Sequence, residues 1–176
     1  VTGVQTCAFR SGDNVLISGT IIAARDAAHK ALTETLARGE ALPVNLAGET
    51  IYYLGPSPAK PGDVIGAAGP TTSGRMDKYT PTMINEVGIN GMIGKGYRSE
   101  AVVEAMKKSG CVYMVAIGGA GALISQSIKK YEVLAYPELG PEAIARLTVE
   151  DFTAIVAIDS EGNNFYEVGQ APYKKI

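Results

Sequence analysis

Apolar positions follow two kinds of spacing along the chain, and together they predict an α/β fold. Ala28, Leu32 and Leu36 recur every four residues on one face of a predicted helix over residues 25–38. Helix-start signals or small-residue runs predict three further helices, at residues 80–88, 99–108 and 122–128. β-Branched and aromatic runs predict strands at residues 15–17, 50–54, 64–68, 91–94, 112–117, 132–136, 144–149 and 154–158.

The order of these elements indicates a single domain with mixed sheets. Strands and helices do not alternate strictly, as they would in a doubly wound parallel sheet. The chain has 176 residues, enough for one domain with a core, and we assign residues 11–176 to it. Residues 1–10 show neither alternation nor helical spacing, and the first residue is Val1. We therefore expect residues 1–10 to be a non-native or disordered start.

Composition argues against several classes of function. A formal net charge of −2 does not favour sequence-independent binding of nucleic acid. No apolar run approaches the roughly 18–20 residues that span a bilayer, and no export signal is recognisable, which favours a cytoplasmic protein. The chain has two cysteines, Cys7 and Cys111, and one histidine, His29. This set is too small for a disulfide framework, a zinc site of several Cys and His ligands, or the roughly four thiolates of an iron–sulfur cluster.

Two glycine-rich stretches resemble nucleotide-binding motifs but lack essential positions. Gly118-Gly119-Ala120-Gly121 follows a predicted strand, yet Ile124 stands where a dinucleotide fingerprint counted from Gly119 needs its third glycine. Gly94-Lys95-Gly96 lacks the earlier glycine and the Ser or Thr after the lysine that a P-loop needs. Close packing of a helix on a strand accounts for the first stretch without any ligand.

The stretch Gly69-Pro70-Thr71-Thr72-Ser73-Gly74-Arg75-Met76-Asp77 is the strongest candidate for a binding site. It follows a predicted strand, and ligands in α/β folds collect at strand ends. Its hydroxyls and backbone N–H groups can surround an anion, and Arg75 can bind a carboxylate through two parallel hydrogen bonds. A well-capped turn that carries a surface arginine is the alternative.

Three other polar residues lie at junctions where a ligand can be reached. Arg25 opens a helix directly after a strand, where a cation opposes the helix dipole at a cost of roughly a few tenths of a kcal/mol or more. This unfavourable placement indicates use in binding, and a simple ion pair with Asp26 is the alternative. His29, one turn further, can orient a substrate or donate a structural hydrogen bond. Lys95 lies between two glycines, where the backbone can approach a ligand closely.

Six separated motifs occur in a consistent order between about residue 12 and residue 164. They are Gly19-Thr20, Arg25-Asp26-Ala27-Ala28-His29, Tyr53-Leu54-Gly55-Pro56, residues 69–76, Ile93-Gly94-Lys95-Gly96 and Asp159-x-x-Gly162-Asn163. Together they resemble the β subunit, or C-terminal domain, of class I iron–sulfur fumarate hydratases (fumarases) and of the related L-tartrate dehydratases. The resemblance implies a swivelling β/β/α domain that packs against a larger α subunit.

The resemblance also implies a cofactor that this chain does not hold itself. In that family the α subunit binds a 4Fe–4S cluster through three cysteines and leaves one iron open to substrate. We therefore expect no metal on this chain, a cluster-bearing α subunit as its partner in a hetero-oligomer, and a small dicarboxylate as substrate. Neither nucleic acid nor a membrane is expected as a partner.

Matched position by position, the resemblance assigns roles within the site. The residues that bind substrate carboxylates are Arg25, Arg75 and Lys95. Thr71 is the catalytic base and also contacts substrate, and Thr72 is a neighbouring substrate contact. Asp26 and His29 are expected to contact the binding residues without touching substrate. A neutral threonine is a weak base, so its alkoxide needs the positive charge of Arg75 and Lys95. Binding of a carboxylate by Thr71, without proton transfer, is the alternative.

The function implied by the resemblance is a hydro-lyase of the tricarboxylic acid cycle, active only with the α subunit. It catalyses the reversible hydration of fumarate to malate. The amino-acid sequences of residues 69–77 and of the Tyr-Tyr-x-Gly-Pro-x-Pro segment resemble those of fumarases more than those of tartrate dehydratases. Two alternatives stay open: an L-tartrate dehydratase β subunit, and a non-catalytic dicarboxylate-binding module of the same fold.

Overall fold

The computed structural model describes residues 8–170, and its helices and strands follow most of the predicted pattern. Its strands are β1 (Asn14–Ala23), β2 (Thr50–Tyr52), β3 (Gly91–Gly94), β4 (Val112–Val115), β5 (Ile128–Ala135) and β6 (Ile144–Ile158). Its α-helices are α1 (Asp26–Ala37), α2 (Thr80–Thr82), α3 (Glu100–Ser109), α4 (Gly121–Ser127) and α5 (Phe165–Val168). Two 3₁₀ turns span Ser73–Met76 and Pro137–Glu142, and a π turn, Met83–Val87, continues α2.

The six strands form one mixed sheet in the order β1-β2-β3-β4-β6-β5. Strands β1 to β4 run parallel to one another, in the pairs β1–β2, β2–β3 and β3–β4. Strand β6 runs antiparallel to each of the three strands it pairs with, β1, β4 and β5. Because β6 pairs with both β1 and β4, the ladders of these five strands close into a ring, and β5 is added along β6. The predicted α/β class with a mixed sheet is confirmed.

Parallel pairing places the ends of four strands at one side of the fold. The carboxyl ends of adjacent parallel strands lie at the same edge of a sheet, which is where α/β proteins bind ligands. We call the edge formed by the carboxyl ends of β1, β2, β3 and β4 the carboxyl edge. The loops that leave it, together with the first turn of α1, carry the site residues predicted from the sequence.

Alternation along the strands divides the apolar side chains into two buried clusters. Ile22 and Tyr53 pack in the cluster that also contains residues of α1 and α3, whereas Ile21 and Tyr52 pack in the cluster with Phe152 of β6. Adjacent residues in an extended strand point to opposite faces, so both faces of β1 and β2 are covered. Strands β1 and β2, whose carboxyl ends contribute to the carboxyl edge, are therefore packed on both faces.

The strand predicted at residues 64–68 is wrong. The backbone in this segment bonds to other loops: the Ser57 N–H donates to the Ala67 carbonyl at 3.1 Å, and the Ala68 N–H donates to the Gly121 carbonyl at 3.0 Å. Gly66 is pressed so closely against the Ser57 carbonyl that a side chain there would overlap it. The apolar run is therefore held by turns, without a neighbouring strand to pair with.

The two strands predicted at residues 144–149 and 154–158 are one strand, β6. At the junction Asp151 adopts a φ of +52°, and its N–H donates to Ser18 Oγ at 3.0 Å, opposite an irregularity between Ile17 and Gly19 of β1. A bulge of this kind lets polar residues interrupt the alternation without ending the strand. Thr80 is also not the helix cap predicted from the sequence, because it is already helical and its hydroxyl donates back to the Met76 carbonyl at 2.9 Å.

Of the predicted non-native or disordered start, residues 1–10, residues 1–7 lie outside the described residues. Phe9 packs against the cluster that contains Tyr52. Between residues 8 and 170, no helix combines the length and the apolar character needed to cross a bilayer.

Candidate functional site

The candidate site lies on the loops that leave the carboxyl edge. Arg25 comes two residues after the end of β1, and Lys95 directly follows β3. The segment that contains Thr71, Thr72 and Arg75 returns to this edge from the far side of a long loop. Ion pairs of Asp26 with Arg25 and Arg75, and the Thr72–Lys95 bridge, join segments that are far apart in sequence.

Backbone pairing fixes the returning segment. The Thr71 N–H donates to the Tyr53 carbonyl at 2.8 Å, just beyond β2, and Thr72 forms a parallel bridge with Lys95. The Ser73 N–H donates to the Lys95 carbonyl at 2.9 Å, and the Lys95 N–H donates to Ser73 Oγ at 3.1 Å. Thr72 and Lys95 are exposed and Thr71 is half-buried, so the loop presents its polar groups to solvent on a fixed backbone.

Asp26 joins the two arginines of the site. Its Oδ2 accepts a hydrogen bond from Arg25 Nε at 3.1 Å and another from Arg75 Nη2 at 2.8 Å. Partial burial alone would raise the pKa of Asp26, but hydrogen bonds from Arg25, its own backbone N–H and Arg75 bring that pKa below the usual value of 3.8. The carboxylate is charged at neutral pH and holds both guanidinium groups at one edge.

Glu142 is a site residue that the motifs do not indicate. Its Oε1 lies 3.2 Å from Arg25 Nη2, and its Oε2 accepts the Ala27 N–H at 2.7 Å. One carboxylate thus neutralises Arg25 and satisfies a free N–H in the first turn of α1, where negative charge is favourable. This contact removes the electrostatic penalty of placing Arg25 at a helix N-terminus.

Two glycines leave room for the cations. A side chain at Gly55 would overlap the Arg25 guanidinium, and a Cβ at Gly118 would lie 3.7 Å from Lys95 Cδ. Gly118 belongs to the stretch that resembles a dinucleotide motif, and here it lies beside the candidate site. The Lys95 ammonium makes no ion pair with any residue in the described part of the chain. It is available to a ligand.

The charges of the site suit a small anion. Arg25, Arg75 and Lys95 contribute three positive charges, and Asp26 and Glu142 contribute two negative charges. Both arginines keep N–H donors beyond those used on the carboxylates, since each guanidinium has five. Fixed cations with spare donors favour a ligand that carries planar carboxylates.

His29 lies beneath Arg25 and has no access to solvent. Its Nδ1 is 2.9 Å from the Arg25 carbonyl, so Nδ1 carries the proton in that contact, and its ring packs against Tyr53 at 5.4 Å between centroids. Burial lowers the pKa of His29 from 6.5 to about 4, and the charge of Arg98 acts in the same direction. His29 therefore contacts the backbone at the start of α1 as a neutral group; its supporting role in the site stays a prediction.

The titration of His29 can be followed directly, because it is the single histidine of the sequence. We expect its imidazole Cε1–H resonance to titrate with a midpoint near pH 4, because the buried ring resists protonation. The measurement is an NMR pH titration between pH 3 and 8, with a short unfolded peptide spanning residues 25–33 as the reference at about 6.5. A midpoint near 6.5 in the folded chain would contradict the buried, neutral state.

A second network behind the site is centred on Arg98, which the sequence does not mark. The guanidinium is fully buried and donates to Asp77 Oδ1 at 2.7 Å and to Thr80 Oγ1 at 2.8 Å. It also lies over the rings of Tyr53 and Tyr113, with its central carbon 5.3 and 4.9 Å from their centroids. Arg98 follows Lys95 by three positions and Asp77 ends the threonine-containing stretch. The Arg98–Asp77 ion pair therefore links the loop that contains Lys95 to the loop that contains Thr71 and Thr72, through a buried guanidinium.

The described residues do not form a metal site. No group of three or more His, Cys, Asp and Glu side chains between residues 8 and 170 could hold a metal ion. Cys111 is buried, and burial raises the pKa of its thiol to about 12, which disfavours the thiolate that a cluster needs. Cys7 lies outside the described residues. The side chains between residues 8 and 170 do not fit an iron–sulfur cluster.

Comparison with known proteins gives consistent relatives. The Fumarase C-terminus family profile matches residues 2–169. The aerobic class I fumarate hydratase of Salmonella typhimurium is 45% identical over 152 residues, which cover 86% of this chain and 26% of that protein. Fumarate hydratase 2 of Leishmania major is 41% identical over 163 residues, or 92% of this chain and 29% of that protein.

A third relative has nearly the length of this chain. It is a Methanocaldococcus jannaschii protein provisionally named L(+)-tartrate dehydratase subunit beta, 39% identical over 174 residues, which cover 96% of this chain and 89% of that protein. The chain spans between a quarter and a third of the length of the two fumarate hydratases above. It belongs to the Fumarase C-terminus family, whose members among these relatives are hydro-lyases: class I fumarate hydratases and a tartrate dehydratase β subunit.

Proposed function

We propose that this chain supplies the dicarboxylate-binding residues and the proton-transferring threonine of a class I fumarate hydratase. One observation carries the proposal: Arg25, Arg75 and Lys95 lie with Thr71 and Thr72 on loops of a single open edge. Fumarate and malate are small dianions, and their two carboxylates need separate cationic partners. Three cations fixed by backbone pairing and by Asp26 meet this need.

The proposed division of labour follows from the geometry of each group. Arg75 extends from the 3₁₀ turn Ser73–Met76, and its side chain is 49% exposed, so its fork can bind one carboxylate in the plane of the guanidinium. Lys95 binds as a point charge, and Arg25 is held by two acidic side chains through Nε and Nη2. Together they favour both the bound dianion and the additional negative charge that develops during proton removal.

Thr71 is the proposed proton acceptor and donor at the substrate carbon. In dehydration of malate the Thr71 alkoxide takes the proton from carbon, the C–H electron pair forms the double bond, and the C–O bond breaks to release hydroxide. Hydroxide then takes that proton from Thr71 to become water, which restores the alkoxide, and hydration reverses these steps. The Thr71 backbone is fixed by its hydrogen bond to the Tyr53 carbonyl, which limits the motion of the hydroxyl. Two cations stabilise the negative charge on the Thr71 oxygen. Arg75 comes four residues after Thr71, and Lys95 pairs with the neighbouring Thr72 through the backbone.

We propose that the rest of the enzyme covers the carboxyl edge. The fumarate hydratases that match this chain are three to four times longer, so most of each lies outside the matched region. Tyr97, two residues after Lys95, is 63% exposed, and Ile117, next to Gly118, is 64% exposed. Apolar residues of this kind next to an open polar site suit a covering protein surface. An α subunit that carries the iron–sulfur cluster, and a cytoplasmic location, belong to the same proposal.

Steady-state assays on the complete enzyme test the substrate. The complete enzyme is reconstituted without oxygen. We expect it to turn over fumarate and L-malate faster than either tartrate enantiomer. The relative provisionally named a tartrate dehydratase subunit favours the alternative, since this chain matches 89% of its length. Activity on tartrate without activity on malate would replace the proposed substrate. Dicarboxylate binding without turnover of any of these substrates would favour a non-catalytic module.

Replacement of Arg75 by lysine is expected to raise the KM for malate about tenfold and to change kcat less. Lysine keeps the charge but cannot form two parallel hydrogen bonds to a planar carboxylate. A loss of about 1.4 kcal/mol of binding corresponds to that factor. Saturation kinetics on the complete enzyme measure the effect, with Arg146→Lys, an exposed arginine on β6, as the matched control. An unchanged KM would show that Arg75 serves the structure alone.

A further inference from the structure

The hydroxyl of Tyr113 lies between the two loops that carry the site residues. Tyr113 stands on β4, is fully buried, and reaches up beneath the carboxyl edge. Its oxygen is 2.8 Å from Ser73 Oγ, next to Thr72, and 2.9 Å from the Gly96 carbonyl, next to Lys95. One side chain therefore contacts both loops at the residues adjoining the proposed substrate contacts.

The protons of this network can be assigned from its acceptors. The Gly96 carbonyl only accepts, so it takes the single proton of the Tyr113 hydroxyl. Ser73 then donates its proton to the Tyr113 oxygen, and Ser73 Oγ in turn accepts the Lys95 N–H at 3.1 Å. The result is a continuous chain of three hydrogen bonds, from the Lys95 backbone through Ser73 and Tyr113 to the backbone of Gly96. Every hydroxyl in it both donates and accepts.

The environment of Ser73 admits little variation. Ser73 is fully buried, and the backbone of Gly94 lies so close that a Cβ there would overlap Ser73 Oγ. A glycine at the end of β3 is thus needed for the serine to approach the strand. Burial also raises the pKa of Tyr113 above its usual value, so the phenol keeps its proton throughout the physiological range. The phenol is therefore in the protonated form that this hydrogen-bonded chain requires.

We infer that Tyr113 and Ser73 are positioning residues that set the Lys95 ammonium relative to the Thr71-Thr72 segment for binding of the dicarboxylate. The inference rests on the proposed function, to which it adds two residues that do not touch substrate. Backbone pairing at Thr72 and Ser73 and the Arg98–Asp77 pair also join the two loops. The buried hydroxyl chain adds a side-chain contact directly at the backbone of Lys95 and of its neighbour Gly96.

The first test removes one hydroxyl at a time in the complete enzyme. Tyr113→Phe and Ser73→Ala are each expected to raise the KM for malate about tenfold, the factor that corresponds to losing about one buried hydrogen bond. The value of kcat is expected to fall less than about threefold, since the reacting groups are retained. Tyr136→Phe is the matched control: this hydroxyl contacts Thr35 at 3.5 Å, away from the carboxyl edge, and its loss should leave KM unchanged.

The second test separates positioning from general stability. If Tyr113 acts through Lys95, then adding Tyr113→Phe to Lys95→Met should change KM less than about twofold, because the positioned group is already absent. An equal, roughly tenfold rise in both backgrounds would overturn the inference, and so would a wild-type KM in Tyr113→Phe. Thermal unfolding of each variant, measured in parallel, identifies any that lose the fold, and Ser73→Ala then provides the independent second probe.

A third measurement distinguishes this inference from the proposed function. Amide hydrogen exchange reports the Lys95 N–H, which is protected by Ser73 whatever the enzyme does. Faster exchange at Lys95 in Tyr113→Phe, but not in Tyr136→Phe, supports the hydroxyl chain even if malate is not the substrate. Unchanged exchange at Lys95 overturns the chain even in an enzyme that hydrates fumarate.

Discussion

Replacement of Thr71 by alanine is expected to lower kcat for malate by a factor of about 10²–10⁴, the usual contribution of a positioned acid or base. The protein should still fold, because the backbone hydrogen bond from Thr71 to the Tyr53 carbonyl does not need the side chain. The three nearby cations should still bind substrate, so KM should change much less than kcat. Single-turnover and steady-state assays of the complete enzyme measure both quantities.

Two variants control this experiment. Thr71→Ser keeps the hydroxyl and should retain activity within about tenfold of the wild type, which alanine should not. Thr153→Ala removes an exposed threonine of β6 that pairs with Leu16, at the opposite end of β1 from Arg25, and should be silent. A raised KM with a wild-type kcat in Thr71→Ala would assign Thr71 to carboxylate binding and remove it from proton transfer.

The sequence predicts the site at strand ends, and the structure places two of its cations there. Arg25 lies two residues after β1 and Lys95 directly follows β3, which is where α/β folds collect ligands. The roles of Thr71, Arg75 and Lys95 come from the resemblance alone and stay predictions, although all three lie at the expected edge. The mixed sheet could be predicted as well, because its strands lack strict alternation with helices.

The residues that hold the site in place could not be predicted. Glu142 acts on the first turn of α1 from 115 positions away from Ala27, within a turn that has no recognisable motif. Arg98 is an ordinary charged residue in the sequence, and only the fold reveals that its side chain is buried. Contacts between distant segments depend on how the sheet closes through β6, and local spacing carries no information about that closure.

Local patterns also failed where backbone hydrogen bonds decide the structure. The apolar run at residues 64–68 satisfies the composition of a strand, yet its N–H and carbonyl groups bond to Ser57 in a loop and to Gly121 at the start of α4. In β6 the reverse occurs, because Glu150 and Asp151 suggest a turn while a bulge keeps the strand continuous. Both errors arise because pairing partners, which lie far away in the chain, determine whether a segment is a strand.

Replacement of Arg98 by methionine is expected to lower the free energy of unfolding by about 3–5 kcal/mol, the usual cost of breaking a buried ion pair from one side. Methionine is apolar and flexible, so loss of packing contributes less than loss of charge. The variant leaves the largely buried Asp77 carboxylate without its cation, while Ser99 N–H still donates to it at 2.6 Å. The Tyr53 and Thr80 oxygens lose donors as well. Denaturant unfolding at pH 7 measures the change.

A second substitution identifies the origin of that loss. If the stranded Asp77 carboxylate dominates, then Arg98→Met combined with Asp77→Asn should be more stable than Arg98→Met alone, since no unpaired charge is left in the interior. The control is Arg38→Met, which breaks an exposed pair with Glu40 and should leave the unfolding midpoint unchanged. If the double variant were less stable than Arg98→Met, the hydrogen bond from Ser99 to the Asp77 carboxylate would be the larger contribution to stability. The unpaired buried charge would then account for little of the loss.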